Sequence, residues 1–318
     1  MAAAFAVLAS ARGKKCLLVS TDAAHSLGDV FARDIGSTET CLAPGLFGLE
    51  IDAEAEADRY IDRVKQTTRS LVRPQLYSEV DRQLDLARNA PGAAEAALLE
   101  RVADLMAQGL EQFDLVIFDT APTGHTIRLL SLPEVMAAWT DGMLRHESRS
   151  AHLGQILERM GSTRGRGRGA GDELSYIDEA EGRTGRDPAS RIRDVLLARR
   201  TRFRRARELL LDARTTAFVL VLMPERLPIL ETSRALATLR RFQVPVAAML
   251  VNRVLPDAAA GTFLAKRRAQ QSLYLAEIEE LFATVPRRTV DLFETDVHGL
   301  DTLQVIASIL AGHSAGRI

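Results

Sequence analysis

The sequence predicts an α/β protein with a mostly parallel sheet, flanking helices and a helical insertion. Short apolar runs bounded by polar or turn residues are typical of buried parallel strands. Segments with helical spacing of apolar residues separate these runs. Residues 137–212 break the alternation, because no convincing strand occurs there. Strands that alternate with helices favour a parallel sheet, since each helix returns the chain to the same edge.

Five apolar runs are predicted strands: residues 16–20, 46–51, 115–118, 218–223 and 247–251. Helical patterns occupy the stretches between them: residues 2–10, 53–88 with a break at Pro74, 93–112, 231–241 and 273–281. The order along the chain is therefore that of an open α/β sheet. Ligands of such sheets bind at the carboxyl ends of the strands, which is where functional residues are expected.

The predicted core is one discontinuous domain, residues 1–136 and 213–318, with the insertion at 137–212. Residues 161–171 read GSTRGRGRGAG, so residues 161–187 are predicted to form a mobile loop. A basic amphipathic helix is expected after Pro188, because apolar residues alternate there with many arginines.

Charge and cysteine content limit the possible functions. Lys and Arg total 41 against 42 Asp and Glu, a formal charge of -1, so no overall basicity favours a nucleic-acid partner. Two cysteines, Cys16 and Cys41, are too few for a disulfide framework and favour a reducing compartment. The longest apolar runs are far shorter than the ~20 residues of a membrane-spanning helix. We therefore expect a cytoplasmic protein.

Two polar segments directly follow predicted strands. Residues 20–29 read STDAAHSLGD and residues 114–130 read DLVIFDTAPTGHTIRLL. Asp22 is placed to orient an attacking water, and Asp119 to hold Mg²⁺ directly or through water. Gly124 belongs to a tight loop whose amides can sense a terminal phosphate. Taken alone, either acid also suits a turn or a helix cap.

A third predicted strand ends in MLVNRVLP, residues 249–256. The carboxamide of Asn252 can pair with the donor and acceptor edge of adenine. Arg253 completes this polar pair and is a second candidate cofactor-binding residue. An isolated Asn at a strand end would otherwise be a turn residue.

These segments together resemble the arsenite-pump (ArsA)/tail-anchored-protein-targeting ATPase family. STDAAHSLGD resembles its switch I signature STDPAHSLSD, and DTAPTGHTIRLLSLP resembles its switch II block. Residues 223–234, 251–253 and 292–303 match in the same order. The resemblance implies a deviant-Walker ATPase of the P-loop NTPase fold, which binds ATP and Mg²⁺ and dimerises around the nucleotide.

The resemblance also implies a role for individual residues. Asp22 matches the water-orienting acid, and Asp119 matches the switch II acid near Mg²⁺. Gly124 and His125 fall in the phosphate-sensing switch, and Asn252 matches the adenine-recognising Asn. One departure is Ala23, which stands where the family has proline and should loosen switch I while sparing the acid.

A second departure concerns the phosphate loop. In the family, GKGGVGKTT directly precedes an Ala-rich helix, and here Met1 already begins that helix. We expect the chain as given to lack this loop and the strand leading into it, and therefore not to hydrolyse ATP competently. Two explanations are open: a start assigned too far downstream, and a degenerate paralogue.

The resemblance implies a homodimer and a membrane-protein client or pump subunit contacting residues 137–212. Arsenite is not an expected ligand, because two cysteines cannot form a three-thiolate site in one chain. Two alternatives remain. A MinD/ParA-like partitioning ATPase shares the fold, but the PTGHT segment is not expected in that class of protein. A nucleotide-free dimerising scaffold fits the chain as written.

Overall fold

The computed structural model describes residues 1–21, 26–69, 74–88, 93–120, 188–257 and 261–312. The chain divides into two compact units, one formed by Met1–Leu132 with Arg205–Ile318 and the other by Pro133–Arg204. The predicted loop at 161–187 lies outside the described residues. The predicted limits of the insertion, 137 and 212, stay a prediction.

The first part of the chain supplies four strands and the helices around them. These are α1 (Ala2–Ala11), β1 (Cys16–Ser20), α2 (Ser26–Phe31), β2 (Thr40–Ala43), β3 (Leu46–Glu50), α3 (Ala53–Arg69), a 3-10 turn (Pro74–Leu76), α4 (Tyr77–Arg88), α5 (Ala93–Gln112) and β4 (Leu115–Asp119). The second part supplies α6 (Pro188–Leu211), β5 (Phe218–Leu222), α7 (Arg226–Arg241), β6 (Val246–Val254), α8 (Thr262–Leu281), β7 (Arg287–Asp291) and α9 (Gly299–Ala311). Each predicted strand and helix is present, and α3 and α4 flank the break at Pro74.

The first sheet has the strand order β2-β3-β1-β4. Strand β1 runs parallel to both β3 and β4, whereas β2 is antiparallel to β3. In this register Ser20 lies opposite Glu50 on one side and Asp119 on the other. The carboxyl ends of three parallel strands therefore meet at one edge of the sheet, and two of them end in a carboxylate.

The second sheet has the order β5-β6-β7, and all three strands are parallel. Among the described residues, β4 and β5 each have a paired strand on one side only. Val221 of β5 is 47% exposed, which is unusual because strands of parallel sheets are generally buried on both faces. The predicted lack of a phosphate-loop strand stays a prediction.

The Ala-rich helix α1 packs against α9. Ala4 and Ala6 are fully buried, and they share a core cluster with Leu303 and Ile306 of α9. Small side chains on α1 let the two helices approach closely without leaving voids. This pairing connects α1, which packs beside β1 and β4, with the helix that follows β7.

Four elements have no counterpart in the predictions: α2, β2, β7 and α9. Strand β7 is largely polar, and Val290 is its one buried residue, whereas β2 is a four-residue edge strand in which Leu42 alone is buried. Helix α7 also begins at Arg226 rather than at 231. Pro228 lies in its first turn, where the missing N–H would have no intrahelical partner, so proline does not end the helix.

Helix α6 begins at Pro188, as predicted, and proline suits the first position of a helix. Phe203 is buried, whereas Arg202 and Arg205 are exposed. No helix within the described ranges combines the length and apolar character needed to span a bilayer.

Candidate functional site

The carboxyl edge of the first sheet brings the start of the switch I segment to Asp119. Thr21 follows β1, and its backbone N–H donates to the Asp119 carbonyl oxygen at 2.9 Å. The Thr21 hydroxyl lies 3.2 Å from the same oxygen and donates to it as well. Asp22 lies outside the described residues, as do Gly124 and His125, so their roles stay predictions. Two bonds from Thr21 nevertheless fix where the segment containing Asp22 begins.

Glu50 is a functional candidate that sequence reasoning missed. It ends β3, and its side chain is buried with 4% of the residue exposed. Its Oε1 accepts hydrogen bonds from the backbone N–H groups of Leu27 at 2.8 Å and Gly28 at 3.1 Å. These amides belong to the first turn of α2, directly after residues 22–25. Glu50 thus holds the far end of the switch I segment. An available signal was its position after an apolar run, the same position that singled out Asp119.

The amino-terminal end of α1 lies at the same edge. Burial lowers the pKa of the Met1 amino group, and the nearby Asp119 carboxylate partly opposes this change. The first turn of a helix carries N–H groups without intrahelical partners and a partial positive charge, and both favour an anion. An anion-favouring helix end and a carboxylate therefore stand side by side.

Asp119 fits the coordination of nucleotide-bound Mg²⁺. This ion is commonly held by one or two carboxylates, with phosphate oxygens and water completing its octahedron. Asp119 ends β4 and is a carboxylate of this kind, so its proposed role in binding Mg²⁺ stays a prediction. Within the described ranges, no group of three or more His, Cys, Asp or Glu side chains is placed to enclose a metal ion.

Asn252 and Arg253 lie in a bulge near the carboxyl end of β6. Val251 pairs with Thr289 and Val254 with Asp291, so β6 carries one more residue than β7 across this interval. Arg253 has a φ of 58°, a left-handed conformation that costs a non-glycine residue about 1–2 kcal/mol. Its N–H donates to Oδ1 of Asn252 at 2.9 Å. Asn252 is half-buried and Arg253 is exposed.

The chain leaving β6 is held by α8. The Leu255 N–H donates to Oε1 of Gln271 at 3.0 Å, and Nη2 of Arg268 donates to the Pro256 carbonyl at 3.2 Å. Gln271 is 7% exposed. Sequence reasoning missed both side chains, because their helix shows no apolar period over its first half and was expected to begin at 273.

The strands are mostly parallel and lie between helices. A carboxylate, a helix amino terminus and a strand-end Asn lie at their carboxyl ends. This is the arrangement of an α/β protein of the P-loop NTPase type. The model of the anion-transporting ATPase family matches residues 1–312. The chain belongs to this family, which confirms the resemblance read from the switch motifs. Membership in an ATPase family implies nucleotide binding.

Three relatives illustrate the family. A protein of Aquifex aeolicus, provisionally named arsenical pump-driving ATPase 2, is 29% identical over 307 residues, which cover 96% of this chain and 93% of the relative. The ATPase ASNA1 homolog of Entamoeba dispar is 26% identical, covering 91% and 82%. The ATPase GET3B of Arabidopsis thaliana is 27% identical, covering 97% and 74%.

Proposed function

We propose that the protein binds ATP with Mg²⁺, hydrolyses ATP and converts its nucleotide state into a conformational change of a homodimer. The observation that carries this proposal is the double hydrogen bond from Thr21 to Asp119. Because of these two bonds, the segment that contains Asp22, the proposed water-orienting acid, begins at the same sheet edge as Asp119, the proposed metal-binding acid. Hydrolysis requires both groups near one terminal phosphate.

Each residue at the carboxyl edge of the first sheet has its own proposed role. Thr21 and Glu50 fix the two ends of the switch I segment, and Asp22 orients the attacking water. Asp119 would hold Mg²⁺, directly or through water, and this ion would supply positive charge against the phosphates. Gly124 and His125 sense the terminal phosphate from the loop after β4.

Asn252 supplies base recognition. Its Oδ1 already accepts from the Arg253 N–H, which fixes the carboxamide orientation and leaves one lone pair on the oxygen free to accept. Adenine offers an N6–H donor beside the N7 acceptor, so Asn252 accepts from the first and donates to the second. Guanine places a carbonyl oxygen where adenine has its donor, so ATP is preferred over GTP. Arg253, the exposed neighbour of Asn252, is proposed as a second residue that binds the nucleotide.

A hydrolysis assay tests this proposal. ATP turnover is measured with and without Mg²⁺, using the 318-residue chain and the chain carrying any residues that its gene encodes in frame before Met1. Asp22→Asn should abolish turnover and spare nucleotide binding, because the carboxamide keeps the size but loses the charge that orients water. Asp119→Asn should raise the Mg²⁺ concentration that half-maximal turnover requires, because the carboxamide binds the ion less tightly than the carboxylate.

Asp58→Asn is the matched control, since Asp58 is an exposed carboxylate on α3 paired with Arg88 at 3.2 Å. It should hydrolyse ATP at the wild-type rate. Normal turnover by Asp22→Asn would remove Asp22 from the catalytic role. If the longest chain that the gene encodes in frame binds no nucleotide, the alternative of a dimerising scaffold is favoured.

The proposal extends to partners and place of action. We propose a cytoplasmic homodimer with no nucleic-acid partner, in which the insertion contacts a membrane-protein client or a pump subunit. The name of the Aquifex relative, which describes a pump-driving ATPase, supports the pump alternative. Light scattering with and without ATP tests the dimer, whose mass should be twice that of the 34.8 kDa chain.

Arsenite is not proposed as a ligand. Cys41 is exposed and Cys16 is buried, and burial raises the pKa of the Cys16 thiol to about 11. Arsenite binds thiolate sulfur, and a buried neutral thiol is inert. Stimulation of turnover by arsenite in the Cys41→Ser protein would contradict this reasoning.

A further inference from the structure

The backbone around Asn252 is strained and is held from both sides. Before it, Val251 pairs with Thr289, and after it, Leu292 donates its N–H to the Val254 carbonyl at 2.7 Å. Between these points Arg253 adopts its left-handed conformation. Such a conformation persists only where the surrounding structure fixes it. The orientation of the Asn252 carboxamide depends on this conformation, since the Arg253 N–H is what its Oδ1 accepts.

The residues immediately downstream supply that constraint through α8. Gln271 and Arg268 are three positions apart on the helix and therefore lie on one face. Gln271 accepts from Leu255 and Arg268 donates to Pro256, so consecutive residues of the chain leaving β6 are held by one helix face. The Gln271 carboxamide is buried, so losing its acceptor would leave the Leu255 N–H without this partner in a site that water enters poorly.

Helix α8 is itself fixed against the start of α7. Arg267 lies 3.2 Å from Glu225 and Arg226 lies 2.9 Å from Glu277, and both distances join guanidinium nitrogen to carboxylate oxygen. These ion pairs link α8 to the segment that leaves β5, the neighbour of β6. Buried Ile278 of α8 also shares a core cluster with Leu236 and Leu239 of α7, so apolar packing holds the helix in addition to these exposed ion pairs.

We propose that Gln271 is a positioning residue for base recognition: by holding the Leu255 N–H, it keeps Arg253 left-handed and the Asn252 carboxamide turned toward the base. This inference rests on the proposed nucleotide function. Gln271 touches neither nucleotide nor metal in this role. Its loss should therefore reduce the preference for ATP over GTP while leaving the recognition of phosphate unchanged.

Four variants of the longest encoded chain test the proposal. Gln271→Met keeps the length of the side chain but removes the acceptor, and Gln271→Asn keeps the amide but withdraws it. Gln271→Glu retains an acceptor oxygen, with Arg268 one turn away as a countercharge. Gln270→Met is the matched control, because Gln270 is the exposed neighbour whose amide donates to the Tyr274 hydroxyl at 3.3 Å.

Two measurements are made on each protein: dissociation constants for ATP, GTP and inorganic triphosphate, and amide hydrogen exchange of residues 252–257 without nucleotide. Gln271→Met and Gln271→Asn should lower the ATP-over-GTP preference by about tenfold and speed exchange at Leu255. Triphosphate affinity should not change. Gln271→Glu and Gln270→Met should behave as wild type.

Two results would overturn the positioning role alone. One is a full ATP preference and unchanged exchange in Gln271→Met and Gln271→Asn. The other is a loss of triphosphate affinity that parallels the loss of ATP affinity, since that would mark general damage to the fold. If Gln271→Met does not fold, Gln271→Asn and Gln271→Glu still decide the question. A wild-type protein that binds neither nucleotide would overturn the proposed function, and the positioning role with it.

Discussion

Replacing Glu50 by alanine removes the side chain that holds the first turn of α2. In the native structure its Oε1 accepts from the Leu27 and Gly28 N–H groups, and Leu27 is 1% exposed. Alanine cannot accept a hydrogen bond, and water reaches the Leu27 amide poorly. We therefore expect the loss of both local order in α2 and global stability.

The magnitude follows from the two bonds. A hydrogen bond to a charged group contributes about 1.5–3 kcal/mol, and a buried N–H left without a partner costs about 1–3 kcal/mol. The Gly28 amide is only partly buried, so it contributes at the low end. The free energy of unfolding should fall by about 2–4 kcal/mol in Glu50→Ala. Glu50→Gln keeps one acceptor oxygen and should lose about half as much.

Urea unfolding gives the stability, and amide exchange at Leu27 and Gly28 gives the local effect. Glu54→Ala is the control, because Glu54 is an exposed glutamate in the first turn of α3, and it should change stability by less than about 0.5 kcal/mol. If Glu50→Ala lost no more stability than this control and its α2 amides exchanged at the native rate, Glu50 would not be the support of the switch I segment.

Three further predictions address base recognition, packing and thiol chemistry. Asn252→Ala should cost about 1–3 kcal/mol of ATP binding and less of GTP binding, because it removes a hydrogen-bonded base contact; competition between the nucleotides measures this, and an unchanged preference would remove Asn252 from the site. Ile306→Ala should lower the free energy of unfolding by about 2–5 kcal/mol, since it leaves a cavity between α9 and α1; a loss below about 1 kcal/mol in urea unfolding would contradict that packing. Ellman's reagent at pH 8 should modify Cys41 quickly and Cys16 only in denaturant, because burial raises the Cys16 pKa to about 11. Two equally reactive thiols in the native protein would refute the burial of Cys16. The raised pKa also predicts that the contribution of Cys16 to the free energy of unfolding is complete below pH 9 and declines as the pH rises toward 11, since the thiol ionises first in the unfolded chain.

The local signals of the chain were sufficient for most of the fold. Strand β1 and helix α5 have the predicted bounds, because an apolar run ending in polar residues, or an amphipathic period, is written in consecutive residues. Strand β7 lacks such a signal. Its sequence, RRTVD, buries one residue, and it becomes a strand because β6 offers it a paired edge, a preference that depends on context.

The candidate site likewise contains residues that the sequence predicts and residues that only the folded structure reveals. Motifs of adjacent residues were enough to identify the family and to predict the acids and the amide at the strand ends. The side chains that support them could be found only in the folded chain. Glu50 holds residues 23 and 22 positions before it, and Gln271 holds a residue 16 positions before it. The path of the chain determines which residues become such partners. A side chain becomes a support only once folding brings a distant backbone amide to it and excludes the water that would otherwise bind both.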